Sequence, residues 1–350
     1  MLQTTPKRKA PRANGRSESF EMATVLHLSA LLSKARRIAR AKPWRCPTRP
    51  GFVIEKLAWA CVFMGLLASV ACGQSNLDGV IDFHVHSSPD STERPIDAID
   101  LAKLAKSRGM RGLVLKNHYE STAALAYVVR KEVPGIEIFG GIVLNRSVGG
   151  VNPAAIERMV LVTGGWGKVV WMPTHDNENE VRLREEHRPF VSVSKDGHLL
   201  PEVLEVIALC AKYNLVLETG HSSAEDGLLI VREAHQRGVQ HIVVTHAMAS
   251  TVRMTIPQMT EAARDGALIE LTYASTLGKN PVVNMRDYAE AIRKVGPENC
   301  ILASDLGQPG SPLHPDGLVT FFAALRKEGI SQSDIDLMSK VNPAHALGLQ

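Results

Sequence analysis

The chain has few cysteines, no apolar run of membrane-spanning length, no internal repeat and, past its first fifty residues, no excess of basic charge. Each shortage closes off a class of function. Of the five cysteines, Cys46, Cys61 and Cys72 fall near the start; Cys210 sits in an apolar helical pattern and Cys300 opens an apolar run. The last two read as core residues, not as ligands or a disulfide. The formal charge of +4 comes from one end of the chain. Residues 1–50 hold 12 Lys/Arg and 2 Asp/Glu, leaving 28 basic and 34 acidic residues over the other 300, a net of −6. A mildly acidic body leaves no basic footprint for nucleic acid. A composition 45% hydrophobic and 22% charged is that of a globular protein with a large core.

Residues 57–71 are apolar and uncharged, directly after Lys56. The stretch is short of the roughly 20 residues of a spanning helix but has the length of a signal-peptide core. It runs into Ser69-Val70-Ala71-Cys72, which resembles a bacterial lipoprotein processing site without the usual Leu three residues before the Cys. The expectation is a basic, disordered leader over 1–54, consistent with an upstream start codon. A signal-like segment follows over 55–72, and a folded body over 73–350. Acylation at Cys72 would attach the protein to a membrane, and plain cleavage after Ala71 would release it. Both imply export to the periplasm, with a cytoplasmic location as the alternative.

From residue 79, short apolar runs alternate with amphipathic segments. The runs are 80–86, 112–118, 136–144, 168–172, 215–219, 241–246, 267–271 and 300–305. Between them, segments such as 98–107, 202–212, 224–237 and 318–327 carry apolar residues three and four apart. Glycine marks several helix-to-strand turns, at Gly109, Gly238 and Gly266. Strictly alternating units predict a parallel sheet, and eight of them close a single-domain α/β (β/α)8 TIM barrel.

Active sites of such barrels form at the C-terminal strand ends, and there the polar residues collect. The first run ends in His84-Val85-His86, the second in Lys116-Asn117-His118. The fourth leads into Thr174-His175-Asp176 and the fifth through Glu218 into His221; the sixth ends in Thr245-His246 and the eighth in Ser304-Asp305. Strand period two puts His84 and His86 on one face with Asp82 behind them, and Lys116 with His118. One strand-end histidine is an ordinary hydrogen-bonded residue. Six of the chain's thirteen on one rim predict a divalent-metal site.

The placement and order of His84, His86, His221, His246 and Asp305 resemble the metal-ligand pattern of the amidohydrolase superfamily. The resemblance spans about residues 78 to 350. It implies a metal-dependent hydrolase whose divalent ion, zinc or a similar one, activates water against an amide, ester or lactone of a small molecule. His84 and His86, with His221 or His175, would hold the ion; Asp305 would act as general base and as a ligand. His246 would bind a second ion or donate to the developing oxyanion. Two-metal members of that superfamily carry a bridging Lys or Glu at the end of the fourth strand. Here Pro173-Thr174-His175 stands there, which favours one ion over two. Lys116 remains open as a bridging carbamate, an anchor for a substrate carboxylate or a surface lysine. Arg182, Arg184, Arg253 and His314 lie in the loops expected to wall a substrate, where arginines would suit a carboxylate.

A second resemblance is to the polymerase-and-histidinol-phosphatase (PHP) phosphoesterases, through His84-Val85-His86, Asn117-His118 and Gly135-Ile136-Glu137. It accounts for His118 as a ligand. Asn117 replaces that family's Asp, Leu306-Gly307 replaces its terminal His, and its barrels usually have seven strands. Further alternatives are a non-oxidative decarboxylase of an aromatic or enoic acid, and a lipid-anchored barrel that binds a ligand without catalysis.

Overall fold

A computed structural model describes residues 77–278 and 281–349. The predicted leader, signal-like segment and Cys72 lie outside the described residues. The first half runs β1 (Ile81–Val85), α1 (Ala98–Ser107), β2 (Gly112–Leu115), α2 (Ala123–Glu132), β3 (Glu137–Val143), α3 (Pro153–Val160) and β4 (Gly167–Trp171). After α4 (Glu178–Leu183) and α5 (Pro201–Tyr213) come β5 (Val216–Glu218), α6 (Ala224–Gln236), β6 (His241–Val244) and α7 (Ile256–Arg264). The series closes with β7 (Ala267–Thr272), α8 (Met285–Val295), β8 (Cys300–Ala303) and α9 (His314–Lys327). The eight strands form one sheet in chain order, every pairing parallel. Backbone hydrogen bonds from Asp305 N–H to His84 O (2.9 Å) and from His86 N–H to Leu306 O (3.0 Å) join the last strand to the first. The predicted (β/α)8 barrel is the fold observed.

Local chemistry explains the elements. In α5 the buried positions Val203, Val206, Ile207 and Cys210 follow the helical stripe. Thr255 with Gln258 and Asn284 with Asp287 form capping boxes that start α7 and α8. Cys210 and Cys300 are buried and unbridged, as core residues. Within the barrel an apolar layer of Ile81, Phe83, Val114, Val169, Val216, Val243 and Ile301 fills the interior. Two residues further along, period two brings Lys116, Trp171, Glu218, Thr245 and Ala303 to the next layer. The barrel is thus apolar below and charged above.

One departure matters for the site. The register of β1 against β2 shifts between Asp82 and Val85, so strict alternation fails there. Asp82 does not join the two histidines at the cavity; its Oδ1 accepts the Ser304 N–H at 2.9 Å, and burial pushes its pKa up to about 7.

Candidate metal centre

Six imidazoles converge at the C-terminal mouth. Neighbouring rings lie 4.8 Å apart for His86–His118 and for His221–His246, and 4.1 Å for His118–His175. They line a cavity of about 310 Å³ together with Lys116, Glu180 and Asp305. Burial drives His84, His86 and His246 down to about 3 and His221 to about 4, so all four are neutral at pH 7 with a lone pair to offer. Burial opposes ionisation of Asp305, but the nearby His84, His86 and His246 outweigh it and hold the carboxyl well below its usual range.

Two groups of donors stand out, each with ligand atoms within 4.8 Å of one another: His84, His86 and Asp305, and His175, Glu180 and His221. In the first, Nδ1 of His84 faces both oxygens of Glu270, at 3.1 and 3.2 Å. When Glu270 is ionised it accepts from Nδ1–H, and Nε2 is then the lone pair aimed at the cavity. That Nε2 lies 3.2 Å from Asp305 Oδ1, as does Nε2 of His86. A lone pair and a carboxylate oxygen at that distance repel unless a proton or a cation stands between them, and the donor set of two imidazoles and a carboxylate fits a divalent ion. Nδ1 of His86 and of His246 is buried without a partner, further sign of a donor set that protein contacts alone leave incomplete.

The second group is satisfied within the protein. Glu180 accepts from Nδ1 of His175 (3.1 Å) and from Nδ1 of His221, and pairs with Arg184 at 2.7 Å. Burial resists ionisation of Glu180, yet these histidine contacts hold it well below the usual carboxylate range.

Backbone geometry delivers several of these groups. His246 (φ +26°) and Asp305 (φ +51°) adopt the left-handed region without being glycine, a cost that persists where surrounding structure enforces it. The peptide N–H of His246 donates to Glu270 at 2.9 Å. Gly220 (φ +63°) carries the chain over the Met172 carbonyl, where a Cβ would stand 2.3 Å from that oxygen, and so places His221. His118 meets Thr174 Oγ1 through Nδ1 at 2.8 Å, and Asn145 ties both into the third and fourth strand ends.

The structure brings together His84, His86, His118, His175, His221, His246, Asp305 and Lys116. Lys116 is 2% exposed, which rules out the surface reading; its Nζ sits 2.9 Å from His84 Nε2. Burial lowers its pKa against the pull of Asp305, Glu218, Glu270 and Glu180. Three expected substrate contacts are not in this cavity. His314 is fully buried, its Nε2 bonded to the Leu306 carbonyl at 2.8 Å. Arg182 pairs with Glu178 and lines a neighbouring pocket; Arg253 is exposed. Sequence reasoning missed Glu270, Glu180 and Arg94. Glu270 had a signal: it lies two residues after Leu268 and two before Thr272 in an otherwise apolar strand, on the inward face. Glu180 and Arg94 sit in the segments after β4 and β1, where spacing gives no direction.

The sequence model described as a family of unknown function, DUF6282, matches residues 79–270. The chain belongs to that family. The match spans His84 through Glu270 and stops short of Asp305. No curated protein matches the chain. Among solved structures, the barrel is similar to a weak promiscuous lactonase template engineered for organophosphate hydrolysis. Identity is 15%, over 79% of this chain and 97% of that one, with TM-score 0.54. It is also similar to a three-site mutant of organophosphorus hydrolase from Deinococcus radiodurans: 16%, 79% and 94%, TM-score 0.55. A third is an amidohydrolase from Burkholderia multivorans: 15%, 77% and 99%, TM-score 0.52. At such identities the likeness is one of fold: this member of the family shares the eight-stranded parallel barrel of those hydrolases. Its eight strands also depart from the seven expected of a PHP phosphoesterase.

Proposed function

We propose that the protein is a metal-dependent hydrolase of a small molecule, with one divalent ion, zinc being the expected metal, at His84, His86 and Asp305. The observation that carries this reading is the pair of Nε2 atoms converging on one carboxylate oxygen, with the tautomer of His84 fixed from behind by Glu270. One ion is favoured over two because Glu180 already satisfies His175 and His221. A divalent ion held there supplies positive charge to an oxygen of the scissile group and lowers the pKa of water toward neutrality.

The chain's own groups do the rest. Asp305 is ionised at neutral pH and takes a proton from the attacking water at its free oxygen, then returns it to the leaving group. Lys116 faces the same cavity and places a nitrogen donor beside His84 and Asp305. His246 is held at the rim by the bond from its N–H to Glu270, within reach of an oxyanion. The reaction class is attack on an amide, ester or lactone; the likeness to lactonase- and organophosphate-directed barrels supports a panel that spans these bonds. Metal analysis followed by lactone, amide, phosphoester and aromatic-acid substrates tests the reading. Release of CO₂ from an aromatic acid without hydrolysis of the others would replace it with the decarboxylase. Ligand binding that is indifferent to Asp305→Asn and to chelation would replace it with a binding-only barrel.

A further inference from the structure

The cavity holds one more charged group whose placement the mechanism does not use. Arg94 lies between β1 and α1, with its side chain only 4% exposed, yet it lines the cavity wall instead of the core. Its Nε and Nη2 both reach Asp90 Oδ2 at 2.8 Å, and Nη1 reaches the Gly307 carbonyl at 3.3 Å. A guanidinium has five N–H groups in a rigid fork; these three contacts leave one N–H on each terminal nitrogen. Gly307 is two residues past Asp305, so the fork is fixed to the same strand end as the general base. The cavity is small, about 310 Å³, at the lower end of the range for ligand pockets. Arg184 also lines the cavity but is half exposed, with its side chain paired to Glu180.

We propose that the substrate carries a carboxylate and that Arg94 seats it, with Asp90 holding the fork in place. This rests on the hydrolase reading and names its substrate class. A planar guanidinium with both terminal nitrogens half free matches a carboxylate better than a neutral carbonyl. The clamp sets the scissile bond between Arg94 and Asp305, which selects short substrates.

The test is calorimetric titration and ligand-induced Tm shift on the protein with its native metal content. The probes are succinate, glutarate and benzoate against their amides, with inorganic phosphate as a further arm. The wild type is expected to bind at least one carboxylate tenfold or more tighter than its amide, and Arg94→Gln to erase that preference. Asp90→Asn keeps an amide oxygen to accept from the fork and removes only the competing negative charge, so it should bind the same anion several-fold tighter and show a larger Tm shift. If Arg94→Gln fails to fold, Asp90→Asn still decides, because a merely structural pair gives no gain in anion affinity. No carboxylate preference in the wild type, an unchanged preference in Arg94→Gln, or tighter binding of phosphate than of any carboxylate would each overturn the proposal. Failure of the hydrolase reading looks different: the anion preference persists while no substrate is turned over. Turnover of neutral lactones without anion preference sinks the substrate class alone.

Discussion

Glu270 shows how a single buried carboxylate orients a proposed metal ligand from outside the donor set. It accepts from His84 Nδ1 and from the His246 peptide, and burial raises its own pKa to about 7. Glu270→Gln keeps the volume but presents an amide that can turn either way, so the Nε2 lone pair of His84 is no longer enforced. The expected result is a roughly 10–100-fold loss of metal affinity, the range for such supporting groups, measured by competition with a chelating dye while circular dichroism stays unchanged. At Asp305 the balance is different. Asp305→Asn should weaken metal binding, because it removes the only charged donor of the His84, His86 and Asp305 set. With the site saturated in metal it should still lower turnover by about 10²–10⁴-fold, the usual worth of general acid–base catalysis. Steady-state kinetics beside metal analysis separates the two losses. The histidines were legible in the sequence because His-x-His and the strand-end positions carry chemistry at fixed spacing. Glu270 was not singled out, because a lone Glu in an apolar run gains meaning only once its strand is set beside β8, one strand from β1.

At the scale of elements, the strand ends and the segments that follow them explain what spacing did and did not show. Period two put Lys116 and His118 on one face, and both line the cavity, since a strand that alternates has little freedom at those positions. It failed at Asp82, where the register shift in β1 turns one carboxylate away from the cavity. The fourth strand was read as lacking a carboxylate, and the strand itself does lack one. Glu180 comes from α4 instead, folded back so that it meets His175 and His221. Such a return is tertiary and leaves no periodic trace. The same scale gives a backbone prediction at Gly307, where φ is +119° and a Cβ would stand 2.1 Å from the His86 carbonyl. Gly307→Ala must displace the segment that closes β8 on β1, and with it Asp305. A clear loss of Tm together with loss of bound metal is expected in thermal melts and elemental analysis; a variant with normal metal content would show that the closure tolerates movement.

For the whole molecule, the buried titratable groups set a pH profile. His84, His86 and His246 at about 3, with His221 and His314 at about 4, compare with an unfolded value near 6.5. Below pH 6.5 the unfolded chain therefore binds more protons than the folded one, and stability falls as pH drops toward 4. Asp82 and Glu270, both raised to about 7, act in the opposite sense: their contribution is full below pH 4 and is lost as pH rises through 7. His118 adds to the first set and Glu218, raised by burial, to the second, so six buried histidines against three acids make the acid limb the steeper. Urea midpoints of metal-free protein should be higher at pH 7 than at pH 5; equal midpoints would mean that the imidazoles are not buried neutral. The barrel itself was readable because eight alternating units admit few closed topologies, whereas a substrate cavity depends on which loops fold inward.

The central claim is a divalent ion at His84, His86 and Asp305, and elemental analysis of the purified protein tests it most directly, with the double variant His84→Ala/His86→Ala and Glu180→Gln measured alongside. The expected result is about one divalent ion per chain in the wild type and in Glu180→Gln, and none in the double variant. A wild type that carries no divalent ion and takes none up on titration, or a double variant that retains the full complement, would contradict it.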